Sequence, residues 1–119
     1  MRLIQRASIA LICGAYANHN KSYRSVYDYS RGCYCAFGIN ILEINNISVF
    51  DYNRGCYITG RINSLFDYGI GNYVNISKNG THFQGFDYAS GQYFFVVVNN
   101  QSVSFYDYET SSYYNFSIS

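Results

Sequence analysis

One eight-residue pattern recurs five times in this chain and constrains its fold more than any other feature. The pattern is aromatic-Asp-Tyr-x-x-Gly-x-Tyr, and its copies span residues 27–34, 50–57, 66–73, 86–93 and 106–113, with Ser111 replacing glycine in the last. All five aspartates of the protein occupy its second position, so their intervals are 23, 16, 20 and 20 residues: Asp28, Asp51, Asp67, Asp87 and Asp107. Such intervals are too short for a helix pair and suit two strands with two turns. Each unit therefore predicts one β-hairpin.

The side-chain alternation predicts how each hairpin is paired. A four-residue loop after the aspartate sets apolar Val49 opposite apolar Ile58, whereas a three-residue loop would set Val49 against Thr59. We therefore expect the four-residue loop in every copy. The longer first interval predicts an extended strand or a β-bulge before a turn at Asn45-Asn46.

The aspartates and glycines are predicted to hold the turns. An aspartate before a turn accepts hydrogen bonds from the turn amides, and glycine at the fourth loop position adopts the left-handed backbone conformation without steric cost. The predicted structural residues are Asp28, Asp51, Asp67, Asp87 and Asp107 together with Gly32, Gly55, Gly71 and Gly91.

The aromatic residues are the candidate binding surface. The aromatic before each aspartate lies across the hairpin from the last tyrosine of its copy, on a face whose neighbours are often Ser or Asn. Exposed tyrosines suit sugar rings, lipid headgroups or peptides. The alternative is that they cover the sheet or pack against a second chain in a homo-oligomer. The candidate ligand-binding residues are Tyr29, Tyr52, Tyr68, Tyr88, Tyr108, Tyr34, Tyr57, Tyr73, Tyr93 and Tyr113.

Composition argues against several functional classes. The formal net charge is +1 and charged residues make up 13% of the chain, so nothing forms the basic stripe of a nucleic-acid surface. The aspartates serve turns, and Glu43 and Glu109 lie far apart with no relation to the repeat. The sequence therefore predicts no catalytic residues, no cofactor and no enzyme activity.

Residues 1–17 have two interpretations. They match a secretory signal, with Arg2 and Arg6 before an apolar run that ends in Ala15-Tyr16-Ala17. They also match a degenerate first repeat, because Gly14 and Tyr16 fall in register with the later copies. The expected location is secreted or cell-envelope if residues 1–17 are a signal, and cytoplasmic if they are not. Residues 18–119 are the single hairpin-repeat domain, which begins with a polar connector at 18–21.

The four cysteines leave alternatives open. Cys33 and Cys56 occupy the same position in adjacent hairpins, which allows a disulfide or a shared metal. There is no Cys-x-x-Cys, and His19 and His82 have no fixed spacing to the thiols, so free or partly buried thiols are favoured over a metal.

The repeat resembles that of the beta-flower proteins, shallow barrels of hairpin repeats related in shape to the C-terminal domain of tubby proteins. The likeness lies in Tyr27-Asp28-Tyr29 through Gly32, and in Ile58-Thr59-Gly60-Arg61 before Phe66-Asp67-Tyr68, and it covers roughly residues 23 to 118. The resemblance implies no established activity. The expected fold is all-β, with five or six antiparallel hairpin repeats of about 20 residues forming a shallow barrel or closed ring. The expected function is a non-catalytic binding or structural module, or alternatively a secreted or envelope-associated carbohydrate-binding protein.

Overall fold

The repeat folds into consecutive β-hairpins that follow one N-terminal helix. The computed structural model of the chain describes residues 1, 3–18, 23–43 and 46–119, and at 3, 4, 41 and 42 it describes the backbone. The elements are α1 (Leu3–Ala17), β1 (Ser25–Asp28), β2 (Cys33–Glu43), β3 (Asn46–Asp51), β4 (Cys56–Arg61), β5 (Ser64–Asp67), β6 (Asn72–Asn79), β7 (His82–Asp87), β8 (Gln92–Asn99), β9 (Ser102–Asp107) and β10 (Ser112–Ile118). The predicted connector at 18–21 and the turn at Asn45-Asn46 fall largely outside the described residues.

The ten strands form a closed antiparallel barrel. Each strand pairs with its neighbours in the chain, and β1 closes the ring against β10, where Val26 lies opposite Ile118. Closure pairs the first and last strands with each other, so within the described residues neither β1 nor β10 is an open edge that a chain with few charges would expose to other chains. The prediction of an all-β barrel of hairpin repeats is confirmed.

The pairing follows the predicted four-residue loop. Phe50 lies opposite Tyr57 and Val49 opposite Ile58 in the second hairpin, as the alternation requires. The fourth loop residue has a positive φ in every copy, from 53° at Ser111 to 75° at Gly71. The long first interval appears as the 11-residue strand β2 with a register shift between Ile39 and Ile41, so the predicted longer strand and bulge are both present.

The helix fills the interior of the barrel. Its residues Ile9, Leu11 and Ile12 are fully buried and point in different directions around the helix, which is the pattern of a helix enclosed on all sides. The strands surround it with inward side chains such as Phe94 and Phe105, whose rings stack at 5.1 Å. The interpretation of residues 1–17 as a degenerate first repeat is therefore wrong, because residues 3–17 form a helix and not a hairpin. The signal interpretation stays a prediction.

Gly14 lets the helix approach the barrel wall, and Asn18 attaches the end of the helix to it. A Cβ at Gly14 would collide with the Cδ1 atom of Ile118 and lie 3.3 Å from Val103, so this position suits glycine although it lies in a helix. At the C-terminal end of the helix, Asn18 donates a 2.8 Å hydrogen bond from Nδ2 to the carbonyl of Asn100. No helix in the described part of the chain is long and apolar enough to cross a membrane.

Candidate binding surface at the aspartate rim

The five repeated turns lie together at one end of the barrel, here named the aspartate rim. Their aspartates point into the barrel and are at most 2% exposed. Each carboxylate accepts a hydrogen bond from the amide two residues later, at distances from 2.9 to 3.2 Å: Ser30 to Asp28, Asn53 to Asp51, Gly69 to Asp67, Ala89 to Asp87 and Glu109 to Asp107. The aspartates thus lie at the turns where the repeat places them.

Two arginines in the loops balance part of this buried charge. Arg31 donates from Nε to Asp28 at 2.8 Å, and this hydrogen bond is the main reason its pKa is raised. Arg54 bridges two hairpins, with 2.7 Å from Nε to Asp51 and 2.9 Å from Nη1 to Asp67. Burial acts to lower the pKa of Arg54, but the hydrogen bonds to Asp67 and Asp51 raise it overall.

The helix supplies further positive charge to the aspartate rim. Arg6 donates from Nε to Asp107 at 3.0 Å, and the ammonium group of Met1 contacts Asp107 at 3.2 Å and Glu109 as well. The same ammonium lies 3.7 Å from Asp87. The N-terminal end of a helix carries a partial positive charge, so its dipole also favours a position inside a ring of carboxylates. The aspartates therefore hold the helix as well as the turns.

Sequence reasoning missed this second role, together with the part of Arg6 and Met1 in it. The available signal was Arg6 beside an almost wholly apolar run, in a protein whose five aspartates all sit at equivalent positions. A buried carboxylate requires a positive partner, and Arg6 is one of few candidates.

Outside the barrel, each copy of the repeat forms a cluster of three rings, here named a trio. A central aromatic makes edge-to-face contacts with the loop tyrosine and with the last tyrosine of its copy, at centroid distances of 4.7 to 5.0 Å. The trios are Tyr29-Tyr27-Tyr34, Tyr52-Phe50-Tyr57, Tyr68-Phe66-Tyr73, Tyr88-Phe86-Tyr93 and Tyr108-Tyr106-Tyr113. Such contacts contribute about 0.5–1.5 kcal/mol each beyond their buried area.

The flanking tyrosines of the trios are the ten that the sequence singled out. Their exposed fractions run from 44% at Tyr57 to 71% at Tyr34, while the central rings are half-buried. The structure brings all ten to the outer surface near the aspartate rim, whereas the turn aspartates face inward. Rings and carboxylates of the same repeat are therefore separated by the barrel wall.

Shallow clefts lie between neighbouring hairpins on this outer surface. One of about 500 Å³ is lined by Gly55, Cys56, Tyr57, Thr59 and Tyr68. Another of about 430 Å³ is lined by Tyr23, Arg24, Phe37, Gly38, Ile39 and Tyr52. The first cleft contains a tyrosine from each of two hairpins, and the second contains a cation beside its rings.

The cysteines are free thiols. None of the four takes part in a disulfide, so the bridge that the sequence allowed between Cys33 and Cys56 is not present. Cys13 and Cys35 are buried, and Cys33 and Cys56 are half-buried. Arg31 contacts the sulfur of Cys35 at 2.7 Å from Nη2. Among the described residues no group of three or more Cys, His, Asp or Glu is placed to hold a metal ion.

Comparisons with known proteins give no match: no family model, no curated protein and no solved structure matches this chain. The geometry of the outer surface is therefore the basis for assigning a function.

Proposed function

We propose that this protein is a binding module, acting without a catalytic step, that engages its ligand through the exposed tyrosines of the five trios. The observation that carries the proposal is the exposure of these ten rings, between 44% and 71%, in a protein of 119 residues. Exposed apolar groups concentrated in one region mark interaction sites more often than do scattered ones.

The chemistry of the surface fits binding better than catalysis. Acid–base catalysis needs a titratable side chain, most often an imidazole or a carboxylate, within hydrogen-bond reach of a substrate. The five aspartates are instead directed into the barrel, where turn amides and cations occupy them. What faces outward is a set of apolar ring faces, each with a hydroxyl that donates and accepts hydrogen bonds.

Hairpin stability explains the central rings but not the flanking tyrosines. The central ring of each trio is half-buried and contacts both neighbours, as expected of a cross-strand packing residue. The flanking tyrosines keep about half or more of their surface in water. A phenylalanine would supply the same edge contact, so packing does not require the hydroxyl that all ten flanking positions carry, which favours a role in recognition.

The test is a binding screen read by tyrosine fluorescence, because the protein has 15 tyrosines and no tryptophan. The panel contains neutral oligosaccharides, phosphatidylcholine vesicles and proline-rich peptides. The key variant replaces the five loop tyrosines by serine (Tyr29, Tyr52, Tyr68, Tyr88 and Tyr108), and its matched control replaces the same five by phenylalanine.

We expect the serine variant to lose at least tenfold in affinity, since each exposed ring contributes about 0.5–1.5 kcal/mol, while the phenylalanine variant keeps most of the ring contribution. Thermal unfolding of both variants checks that the barrel is intact. If no member of the panel binds, or if the serine variant binds as tightly as the native protein, the proposal fails.

A further inference from the structure

The trios are not evenly placed around the barrel, because the pairing between hairpins changes at two places. At three junctions the incoming aspartate lies opposite the residue seven positions after the previous aspartate: Asp67 opposite Ile58, Asp87 opposite Val74 and Asp107 opposite Phe94. At the other two junctions it lies opposite the ninth residue: Asp51 opposite Phe37 and Asp28 opposite Phe116. Two residues of a strand correspond to about 7 Å.

This difference decides which tyrosines meet. At the first three junctions named above, the backbone amide of the loop tyrosine donates a hydrogen bond to the carbonyl of the last tyrosine of the preceding trio. These bonds are Tyr68 to Tyr57 at 3.1 Å, Tyr88 to Tyr73 at 3.1 Å and Tyr108 to Tyr93 at 3.2 Å. We name these three couples the seam pairs. At the two shifted junctions the same amide bonds to Ala36 from Tyr52 and to Asn115 from Tyr29. Four trios therefore form a continuous arc, and the first trio stands apart.

Exposure follows the same division. The last tyrosines that belong to seam pairs are the less exposed, Tyr57 at 44%, Tyr73 at 49% and Tyr93 at 53%. The last tyrosines at the shifted junctions, Tyr34 and Tyr113, are 71% and 70% exposed. The neighbouring trio thus covers part of each seam tyrosine, and the cleft of about 500 Å³ lined by Tyr57 and Tyr68 lies at the first seam pair. That volume is within the range of small-molecule sites.

The row of side chains that adjoins the rings of the arc is polar and uncharged. Each of the eight strands of the arc carries an uncharged outward side chain two residues farther from the aspartate rim than its ring. Seven of these eight side chains have a hydroxyl or amide, and the eighth is Phe95. The seven are Ser48, Thr59, Ser64, Asn75, Gln84, Ser104 and Asn115. Asn75 already donates to the hydroxyl of Tyr88 at 3.3 Å. This row offers no partner for a phosphate or a charged peptide, since such groups require Arg or Lys. The exposed cations Arg61, opposite Ser64, and Arg24, in the cleft with Tyr52, lie outside the row.

We infer that the seam pairs bind a neutral glycan, with sugar rings resting on the paired tyrosines and sugar hydroxyls bonded to the row of hydroxyl and amide side chains below. This inference rests on the proposed function and names its ligand class. Hairpins recur about every 10 Å around the barrel, because neighbouring strands lie about 4.8 Å apart. The seam pairs therefore repeat side by side around the barrel, so a chain of several sugar units can reach from one seam pair to the next.

The experiment compares two triple variants that remove the same number of exposed rings. Tyr68→Ser/Tyr88→Ser/Tyr108→Ser removes one ring from each seam pair. Tyr29→Ser/Tyr34→Ser/Tyr52→Ser removes three tyrosines that belong to no seam pair and are 62% exposed or more. The probes are glucose and N-acetylglucosamine oligosaccharides of two and six units in α-1,4, β-1,3 and β-1,4 linkage, with proline-rich peptides and phosphatidylcholine vesicles as further arms.

We expect at least one oligosaccharide series to bind, with six units bound more tightly than two because a longer chain reaches a neighbouring seam. The seam variant should lose at least tenfold in affinity for it. The matched variant should lose at least fivefold less than the seam variant, because the three rings it removes belong to no seam pair. Glycan binding that both variants weaken equally would overturn the seam assignment and leave the proposed function standing. Binding of peptides or vesicles without glycans would overturn the glycan class alone, and no binding in any arm would remove the proposed function together with this inference.

Discussion

Arg6 in the central helix and Asp107 in the last hairpin form a buried ion pair across 101 positions of the chain, with 3.0 Å from Nε to Oδ2. Both side chains are at most 5% exposed. The guanidinium also lies 3.9 Å from the ring centroid of Tyr114, where a cation is attracted to the aromatic face. One side chain thus fixes the rotation and height of the helix relative to β9 and β10.

Replacing Arg6 by methionine should destabilise the protein by about 3 kcal/mol, because the buried carboxylate of Asp107 would lose its guanidinium and keep the Met1 ammonium as its cation. Urea unfolding followed by near-ultraviolet circular dichroism of the tyrosines measures the loss. Arg24→Met at an exposed position is the control and should stay within about 0.5 kcal/mol of the native protein. Adding Asp107→Asn to Arg6→Met should restore part of the stability, and a loss below about 1 kcal/mol in the single variant would contradict the role given to this pair.

Two glycines should respond differently to alanine because different causes require them. A Cβ at Gly85 would lie 2.6 Å from the carbonyl of Asn75 and would collide with the ring of Phe94, so Gly85→Ala should cost about 3 kcal/mol through overpacking. Gly91 has φ +71° and open space around it, so Gly91→Ala should cost about 1 kcal/mol through backbone strain alone. Urea unfolding of the two variants measures both effects. Equal losses would contradict the tight packing at Gly85.

The hairpins could be predicted because their determinants are local. The alternation of Val49 and Ile58 with polar neighbours selects the loop length, and glycine at the fourth loop position marks the turn. Both signals lie within one copy of the repeat. The helix could not be found in the same way, because Gly14 and Tyr16 imitate the repeat locally and an apolar helix becomes stable only when a closed barrel surrounds it.

The outward position of the tyrosines follows from the same alternation, but the seam pairs do not. Which trios meet depends on the pairing between hairpins, and that pairing depends on how β2 absorbs its extra residues between Ile39 and Ile41. The interval of 23 residues shows that residues are inserted, yet an extended strand and a β-bulge fit it equally well.

The resemblance to the beta-flower proteins stays a prediction.

Ser111 offers a test of the turn conformation in the single copy that lacks glycine. It holds φ +53°, a region that costs a side-chain-bearing residue about 1 kcal/mol. Ser111→Gly should therefore stabilise the barrel by up to about 1 kcal/mol, less the entropy that glycine adds to the unfolded chain. Ser90→Gly in the fourth hairpin, where φ is not positive, is the matched control and should be neutral or destabilising. A loss of stability in Ser111→Gly would contradict the prediction. It would mean that the serine side chain stabilises the turn by more than its positive φ destabilises it.

Cys13 on the central helix is fully buried, and this burial raises the pKa of its thiol far above the ordinary value of 9.0. The folded protein therefore holds the proton at pH values where the unfolded chain releases it. The resulting contribution to stability is complete below pH 9 and decreases as the pH rises above 9, because thiolate formation then favours the unfolded state.

We accordingly expect the free energy of unfolding to fall more in the native protein than in Cys13→Ala, by about 1.4 kcal/mol in total between pH 8 and pH 10. Comparing the two proteins cancels the titration of groups that they share, including Tyr16, whose pKa burial also raises. Urea unfolding at pH 8, 9 and 10 gives the difference.

Iodoacetamide labelling provides an independent check of the enclosed helix. Cys33 and Cys56, which are half-buried, should react in the folded protein, whereas Cys13 should react only at the rate of global unfolding. Parallel pH dependences, or rapid labelling of Cys13 without denaturant, would contradict the enclosure of the helix within the barrel.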